Sequence, residues 1–265
     1  LDAVKREQEP RDGEKDVIAG RNPVLEALRT GRPVERVYVA KGASGTALAE
    51  IVELARRRGV TVQFDERRRL DRLAGGVVHQ GVVAVAAPVP YSTVDAMLAQ
   101  ARARGEDPLL LALDEVQDPH NLGSLLRSVD GVGGHGVIVP KRRSAGLTMT
   151  VARTSAGAVE YVPVAQVSNL VQTLSELKEQ GLWVVGADMA GEKELWDADL
   201  TGPLVIVVGG EGKGLGRLTR ETCDFLVRIP MRARSNSLNA SVAGAILPFE
   251  VFRQRRGSGR EPLGG

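Results

Sequence analysis

Residues 204–241 constrain the fold of this chain more than any other stretch. Two β-type apolar runs, 204–208 and 226–230, each stop abruptly at glycine or proline. Each then opens into a polar loop that leads toward a helix, as LVIVVGGEGKGL in the first case and LVRIPMRARSNSLNAS in the second. A buried strand that ends in a glycine-rich loop brings backbone N–H and C=O groups to a sheet edge, where ligands bind in open α/β folds. The chain does this twice in succession.

The segments before this stretch fit the same architecture. A clear strand, LLLALD at 109–114, is followed by the turn Asp118-Pro119-His120-Asn121 and a helical pattern whose apolar face is Leu122, Leu125, Leu126 and Val129. Strands are expected at 137–139, weakly at 161–164, and at 182–187. Helices are expected at 148–156, 169–180 and 218–223, with another at the C-terminus. Strands alternating with helices predict a mostly parallel sheet covered on both faces.

Upstream, a second and smaller α/β pattern is legible. Val24, Leu25 and Leu28 mark a short helix with Pro23 in its first turn and Gly31 past its end. A strand at 36–40, a helix at 46–58, a strand at 60–64, a basic helix at 66–74 and the apolar run 82–87 follow. The expected organisation is a disordered charged tail (1–16), a small domain (17–88), a linker (89–107) marked by Pro88 and Pro90, a larger domain (108–256) and a second disordered tail (257–265).

Composition excludes several functions. The single Cys223 rules out an intramolecular disulfide and fits a reducing compartment. Aromatic residues make up 3% of the chain, too few for base stacking to be the main mode of nucleic-acid binding. No apolar run reaches membrane-spanning length and the N-terminal stretch has no signal-peptide core, so a cytoplasmic protein is expected. His79, His120 and His135 lack metal-ligand spacing, and no metal site is expected.

Two nucleotide-binding signatures fail on inspection. Gly209-Gly210-Glu211-Gly212-Lys213-Gly214 has Gly214 where a P-loop needs Ser or Thr, and Val207 where it needs its first glycine. Gly131-x-Gly133-x-x-Gly136 follows a helix and precedes a strand, the reverse of the dinucleotide context, and reads as a connection. The stretch Ser237-Leu238-Asn239 has more content. It precedes a stripe formed by Val242, Ala245, Ile246, Phe249 and Phe252, so Ser237 is expected as the N-cap of the last helix. Ser237 and Asn239 either cap that helix only or present its free N–H groups to a ligand. Pro248 is expected to kink the helix or free a carbonyl near Gly244. Arg127 is either a functional cation or a surface partner of Asp130, and Glu211 either a functional or a solvated loop carboxylate.

Three segments in order are more specific than any one alone: Asn121-Leu122-Gly123-Ser124-x-x-Arg127-Ser128, then Gly209 through Leu215, then Ile229-Pro230-Met231 through Ser237-Leu238-Asn239-Ala240-Ser241. Together they resemble the three motifs of the SpoU/TrmH branch of the SPOUT RNA ribose 2′-O-methyltransferases. Ile18-Ala19-Gly20-Arg21-Asn22-Pro23-Val24 and His79-Gln80-Gly81-Val82 resemble that family's ribosomal-protein-like RNA-binding domain.

The resemblance implies a SPOUT α/β domain with a deep C-terminal trefoil knot behind the small α/β domain, and a homodimer. It implies that S-adenosylmethionine is held by Ala187, Asp188, Gly209, Gly210, Glu211, Gly212, Gly214, Leu215, Ile229, Met231, Ser237, Leu238 and Ala240, with S-adenosylhomocysteine as product and no metal. Arg127, Asn121, Glu211, Ser237 and Asn239 become the expected catalytic set, with Arg127 reaching the partner's cofactor pocket. Arg21, Arg36, Arg67, Arg68, Arg232 and Arg234 are the expected RNA contacts. The implied substrate is a guanosine of 23S rRNA. A tRNA methyltransferase, a resistance-conferring rRNA methyltransferase and a non-catalytic RNA-binding or ribosome-assembly protein stay open as alternatives.

Overall fold

The upstream α/β pattern closes on itself as a four-stranded sheet with helices. The computed structural model describes residues 16–232 and 237–257, and the chain divides into two units, Leu1–Pro90 and Tyr91–Gly265. The first unit runs β1 (Asp16–Ala19), α1 (Arg21–Thr30), β2 (Val34–Ala40), α2 (Thr46–Arg57), β3 (Thr61–Asp65), α3 (Arg67–Leu73) and β4 (Val82–Ala86). Its strand order is β1-β4-β2-β3. β2 and β3 pair in parallel, and β4 runs antiparallel to β1 and β2. Helix α2 shows why these residues fold this way. Leu48, Ile51 and Ala55 fall at helical spacing on one buried stripe, which packs with Val24, Leu28, Val37 and Val39 in one apolar core.

The second unit begins with α4 (Val94–Arg104), β5 (Leu109–Asp114), α5 (Pro119–Gly131) and β6 (Gly136–Pro140). It continues with α6 (Met149–Thr154), β7 (Val164–Val167), α7 (Leu170–Glu179), β8 (Trp183–Ala187) and the two-residue β9 (Lys193–Glu194). β10 (Leu204–Gly209), α8 (Arg217–Thr222), β11 (Phe225–Arg228) and α9 (Ala240–Gly257) complete it. Seven strands form one sheet in the order β7-β6-β5-β10-β8-β11-β9, and every pairing is parallel. Gly209 pairs with Asp114 and Val208 with Ala187, so β5, β8 and β10 release their loops at one edge.

Several expectations change. The segment taken as a linker holds α4, whose Ala101 is buried and whose Met97 and Leu98 lie in the same core as Leu110, Ile138 and Val205. The arginines and alanines between them diluted the apolar stripe. The division, after Pro90, falls inside the expected linker at 89–107. The weak strand at 161–164 begins only at Val164, because the residues before it form a 3₁₀ turn at Ala158–Glu160. Asp16 already belongs to β1 and Gly257 still to α9; the rest of both expected tails lies outside the described residues. No helix of the described residues is long and apolar enough to cross a membrane.

The last helix is held at both ends of its length. Near its start Gly244 lies against α5, where an added Cβ would sit 2.3 Å from Leu125 Cδ2. Near its end the buried Arg255 donates to the carbonyls of Asp107 (2.8 Å), Pro108 (3.0 Å) and Gly202 (2.9 Å), which precede β5 and β10. The helix runs through the buried Pro248 without interruption. Proline supplies no N–H to the carbonyl of Gly244, so that turn forgoes one helix bond.

Candidate active site

The loop after β10 is folded back on the strand that releases it. A Cβ on Gly209 would lie 2.1 Å from the carbonyl carbon of Gly214 and 2.5 Å from Leu215 N. Only glycine permits that approach. Gly212 and Gly214 take φ of 80° and 64° to make the return. Asp114 at the end of β5 fastens the loop at both sides: its carbonyl accepts from Gly210 N–H at 2.8 Å, and its Oδ2 accepts from Gly216 N–H at 2.8 Å.

Beside this loop lies a cavity of about 250 Å³, walled by the ends of β8, β10 and β11 and the first turn of α9. Ala187, Asp188, Gly209, Gly210, Glu211, Gly212, Gly214, Ile229, Ser237, Leu238 and Ala240 line it. Leu215 and Met231 are not among the lining residues; Leu215 is buried in the core of the sheet instead. Among the described residues no cluster of His, Cys, Asp and Glu could hold a metal ion.

Three of the five expected catalytic residues come together. Glu211 Oε1 accepts from Asn121 Nδ2 at 3.0 Å and also from Asn239 Nδ2. Asn121 is buried near the start of α5, where Asp118 caps the helix by accepting from His120 N–H at 2.8 Å. Asn239 Oδ1 accepts from Ser241 N–H at 2.9 Å, so Asn239 is the N-cap of α9. Ser237 is therefore not the cap; it lies two residues too early and lines the cavity. One carboxylate thus joins the β10 loop to the starts of two helices. Arg127 stands apart from the three. It lies six residues after Asn121, about 9 Å along the axis and on a different face, and is exposed.

Met189, Lys213 and Arg220 also line the cavity and were missed from the sequence. Arg220 Nη2 pairs with Asp188 Oδ2 at 2.7 Å, and Asp188 Oδ1 accepts from Ala190 N–H at 2.9 Å. The pair joins residues far apart in the chain, and no local pattern announces it. Of the expected RNA contacts, Arg67, Arg68 and Arg232 are exposed. Arg36 donates to Gln63 Oε1 at 3.1 Å and lies over the Tyr38 ring. Arg21 donates to the backbone carbonyls of Gln80 (3.1 Å) and Ser44 (3.0 Å), a brace between two loops. Arg234 falls outside the described residues. Gly131-x-Gly133-x-x-Gly136 connects α5 to β6 and lines no part of the cavity.

Cys223 sits behind the cavity wall, where a Cβ added to Gly186 would meet its Sγ at 2.8 Å. Burial, with the negative charge of Asp224 adding to it, pushes the thiol up to about 12. The thiolate is the reacting form, so iodoacetamide at pH 8 is expected to leave Cys223 unmodified in the folded protein and to alkylate it in denaturant. Rapid native labelling by mass spectrometry would show that this wall opens.

Residues 108–249 match the model of the SpoU rRNA Methylase family, and residues 17–92 match that of the RNA 2′-O ribose methyltransferase substrate binding domain. The Bacillus subtilis protein YacO, named as a candidate TrmH family tRNA/rRNA methyltransferase, is 45% identical over 240 residues, covering 91% of this chain and 96% of its own. An uncharacterized tRNA/rRNA methyltransferase of Mycobacterium avium is 46% identical over 262 residues, covering 96% and 84%. Among solved structures, the SpoU methyltransferase AviRb of Streptomyces viridochromogenes, in complex with the cofactor AdoMet, superposes with a TM-score of 0.79. It is 27% identical and covers 96% of this chain and 95% of that one.

Proposed function

This chain belongs to the SpoU rRNA methylase family, and from that premise we propose that it transfers a methyl group from S-adenosylmethionine to a ribose 2′-hydroxyl of RNA, a guanosine of 23S rRNA. The observation that carries the reading is the Asn121–Glu211–Asn239 cluster at a cavity built from glycine-rich strand ends.

The cavity suits the cofactor chemically. Its glycine loop offers backbone groups at close approach; Asp188 is paired with Arg220, which leaves Glu211, held by two neutral amides, as the lining carboxylate that a positive sulfonium would meet. When bound, the cofactor supplies an electrophilic methyl group. The same lining residues would hold it: Ala187, Asp188, the 209–214 loop, Ile229, Ser237, Leu238 and Ala240.

The chain's own residues then have two tasks. The first is positioning. Alignment of reacting groups can lower a barrier by about 7–11 kcal/mol in favourable cases, and the Glu211 cluster fixes the loop and helix start that shape the cavity. The second is charge. A ribose hydroxyl must lose its proton as it attacks, and the guanidinium of Arg127 is too weak an acid to serve as the base. Its role in this reading is to stabilise the developing alkoxide, while Ser237 lines the cavity that would hold the cofactor. Such a role requires Arg127 to reach a cleft, and its exposed place on α5 fits reach into the cleft of a second copy. Val242 and Phe249, 45% and 48% exposed on α9, offer that copy an apolar face. The homodimer and the threading of the C-terminal segment as a trefoil knot belong to this reading. The exposed Arg67, Arg68 and Arg232 remain its candidate RNA contacts.

Gly209→Ala tests the cavity as the cofactor's seat. The added Cβ meets backbone, which cannot swing away, so S-adenosylmethionine affinity by calorimetry is expected to fall at least about tenfold, the factor that 1.4 kcal/mol represents. Normal affinity in a folded Gly209→Ala protein would place the cofactor elsewhere. The whole reaction is tested by labelled methyl transfer to unmodified 23S rRNA and, separately, to tRNA. Label on rRNA is expected; label on tRNA alone would overturn the substrate, and no transfer to either with the cofactor bound would favour an RNA-binding protein without chemistry.

A further inference from the structure

Two residues other than glycine adopt left-handed backbone at neighbouring strand ends of the second unit: Glu115 after β5, with φ 60°, and Arg143 after β6, with φ 58°. A side chain in that region is strained, and such conformations persist where the surroundings hold them in place, often at functional sites. Here the two hold each other, with Arg143 Nη1 donating to Glu115 Oε1 at 2.7 Å.

The loop that carries Arg143 is tied down on both sides. Lys141 N–H donates to Val167 O at 2.8 Å, and Ala145 N–H donates to Val116 O at 3.0 Å. Glu115 in turn abuts the β10 loop, since a Cβ on Gly210 would lie 2.5 Å from Glu115 O. The hydrogen bond from Arg143, with the nearby charge of Lys213 in support, holds the Glu115 carboxyl below its usual range. The brace therefore stays charged at neutral pH. In this way the run Lys141-Arg142-Arg143 is fixed against the loop that bears Glu211.

Arg143 is occupied by the brace. Lys141 and Arg142 are exposed, and no carboxylate among the described ion pairs matches their charge. Two unmatched cations on a rigid, strained loop at the catalytic edge of the sheet suit a ligand with repeated negative charge.

We propose that Lys141 and Arg142 form a phosphate-binding step that seats the RNA backbone beside the cavity, an assignment that rests on the RNA-methyltransferase reading above. Phosphate contacts carry no sequence information but set the register of the strand. Here they would hold the strand beside the cavity without touching the reacting ribose.

The test is the double variant Lys141→Gln/Arg142→Gln, with the charge-conserving Lys141→Arg/Arg142→Lys as control. Binding of transcribed 23S rRNA is measured against salt concentration, alongside methyl-transfer kinetics and S-adenosylmethionine affinity. The neutral variant is expected to flatten the slope of log affinity against log salt by about 1–2, roughly one for each lost phosphate contact. Its KM for rRNA should rise while kcat at saturating rRNA and cofactor affinity hold, and the control should regain the wild-type slope. An unchanged slope and KM in a neutral variant that still methylates RNA would overturn the proposal and leave the activity standing. If the wild-type protein binds rRNA but transfers no methyl, the activity reading falls, and the slope comparison still decides the site.

Discussion

Arg127→Ala is expected to lower kcat for methyl transfer by about 10²–10³-fold, the scale seen when one stabilising donor is removed from a developing oxyanion, while S-adenosylmethionine affinity stays unchanged. The side chain is exposed on α5 and lines no part of its own chain's cavity, so its loss should disturb neither folding nor cofactor binding. Arg127→Lys keeps the charge but not the planar fork of donors, and partial recovery is expected. If Arg127 serves the cleft of a second copy, inactive variants should complement each other. Mixing Arg127→Ala with Glu211→Ala, which is itself expected to lose turnover, puts one intact site into each mixed dimer, so random exchange should restore roughly a quarter of wild-type activity in a two-fold assembly. No restoration, with dimer exchange verified, would return Arg127 to a role within its own chain. Full turnover by Arg127→Ala would remove it from the mechanism.

Glu211→Ala carries the other large effect, and it should reach further. The carboxylate is the shared acceptor for Asn121 and Asn239. Its removal leaves the amide of the buried Asn121 without its acceptor, a loss of about 1–3 kcal/mol for a buried donor. It also releases the β10 loop from the start of α9. Cofactor affinity and kcat are both expected to fall, with turnover down by about 10²-fold or more, and the melting temperature should drop as well. Glu211→Gln separates scaffold from charge. Its amide oxygen can still accept both hydrogen bonds, so stability should return, while activity should stay well below wild type if the negative charge contributes. Complete rescue by Gln would make Glu211 a scaffold only.

Much of this site was legible because glycine and strand-end signals are local. The run Leu204–Gly209 announces a buried parallel strand, and the glycines after it announce a loop that comes close to its neighbours. The alternation of strands and helices gives the parallel sheet. It does not give the order β5-β10-β8 at the sheet's centre, because the apolar runs involved are too alike to choose their partners. Other features were hidden for physical reasons. Ser237 and Asn239 are both good N-cap types, and the choice between them depends on where α9 begins, which Glu211 helps to fix through Asn239. The Asp188–Arg220 pair exists only once α8 packs beside the end of β8, and the Glu115–Arg143 brace only once the ends of β5 and β6 share one edge. Helix α4 was passed over because three buried residues, Met97, Leu98 and Ala101, carry its packing, and its arginines and small side chains read as a connector. Arg21 is similar, since its charge in a surface motif points to RNA and nothing local announces that its guanidinium also braces two backbone carbonyls.

The measurement that bears most directly on the central claim is the position of the transferred methyl group. Unmodified 23S rRNA would be incubated with the protein and labelled S-adenosylmethionine, then digested to nucleosides and mapped. The account predicts label on the 2′-oxygen of one guanosine ribose, lost together in Arg127→Ala and Glu211→Ala. Label on a base, or label that survives both substitutions, would contradict it.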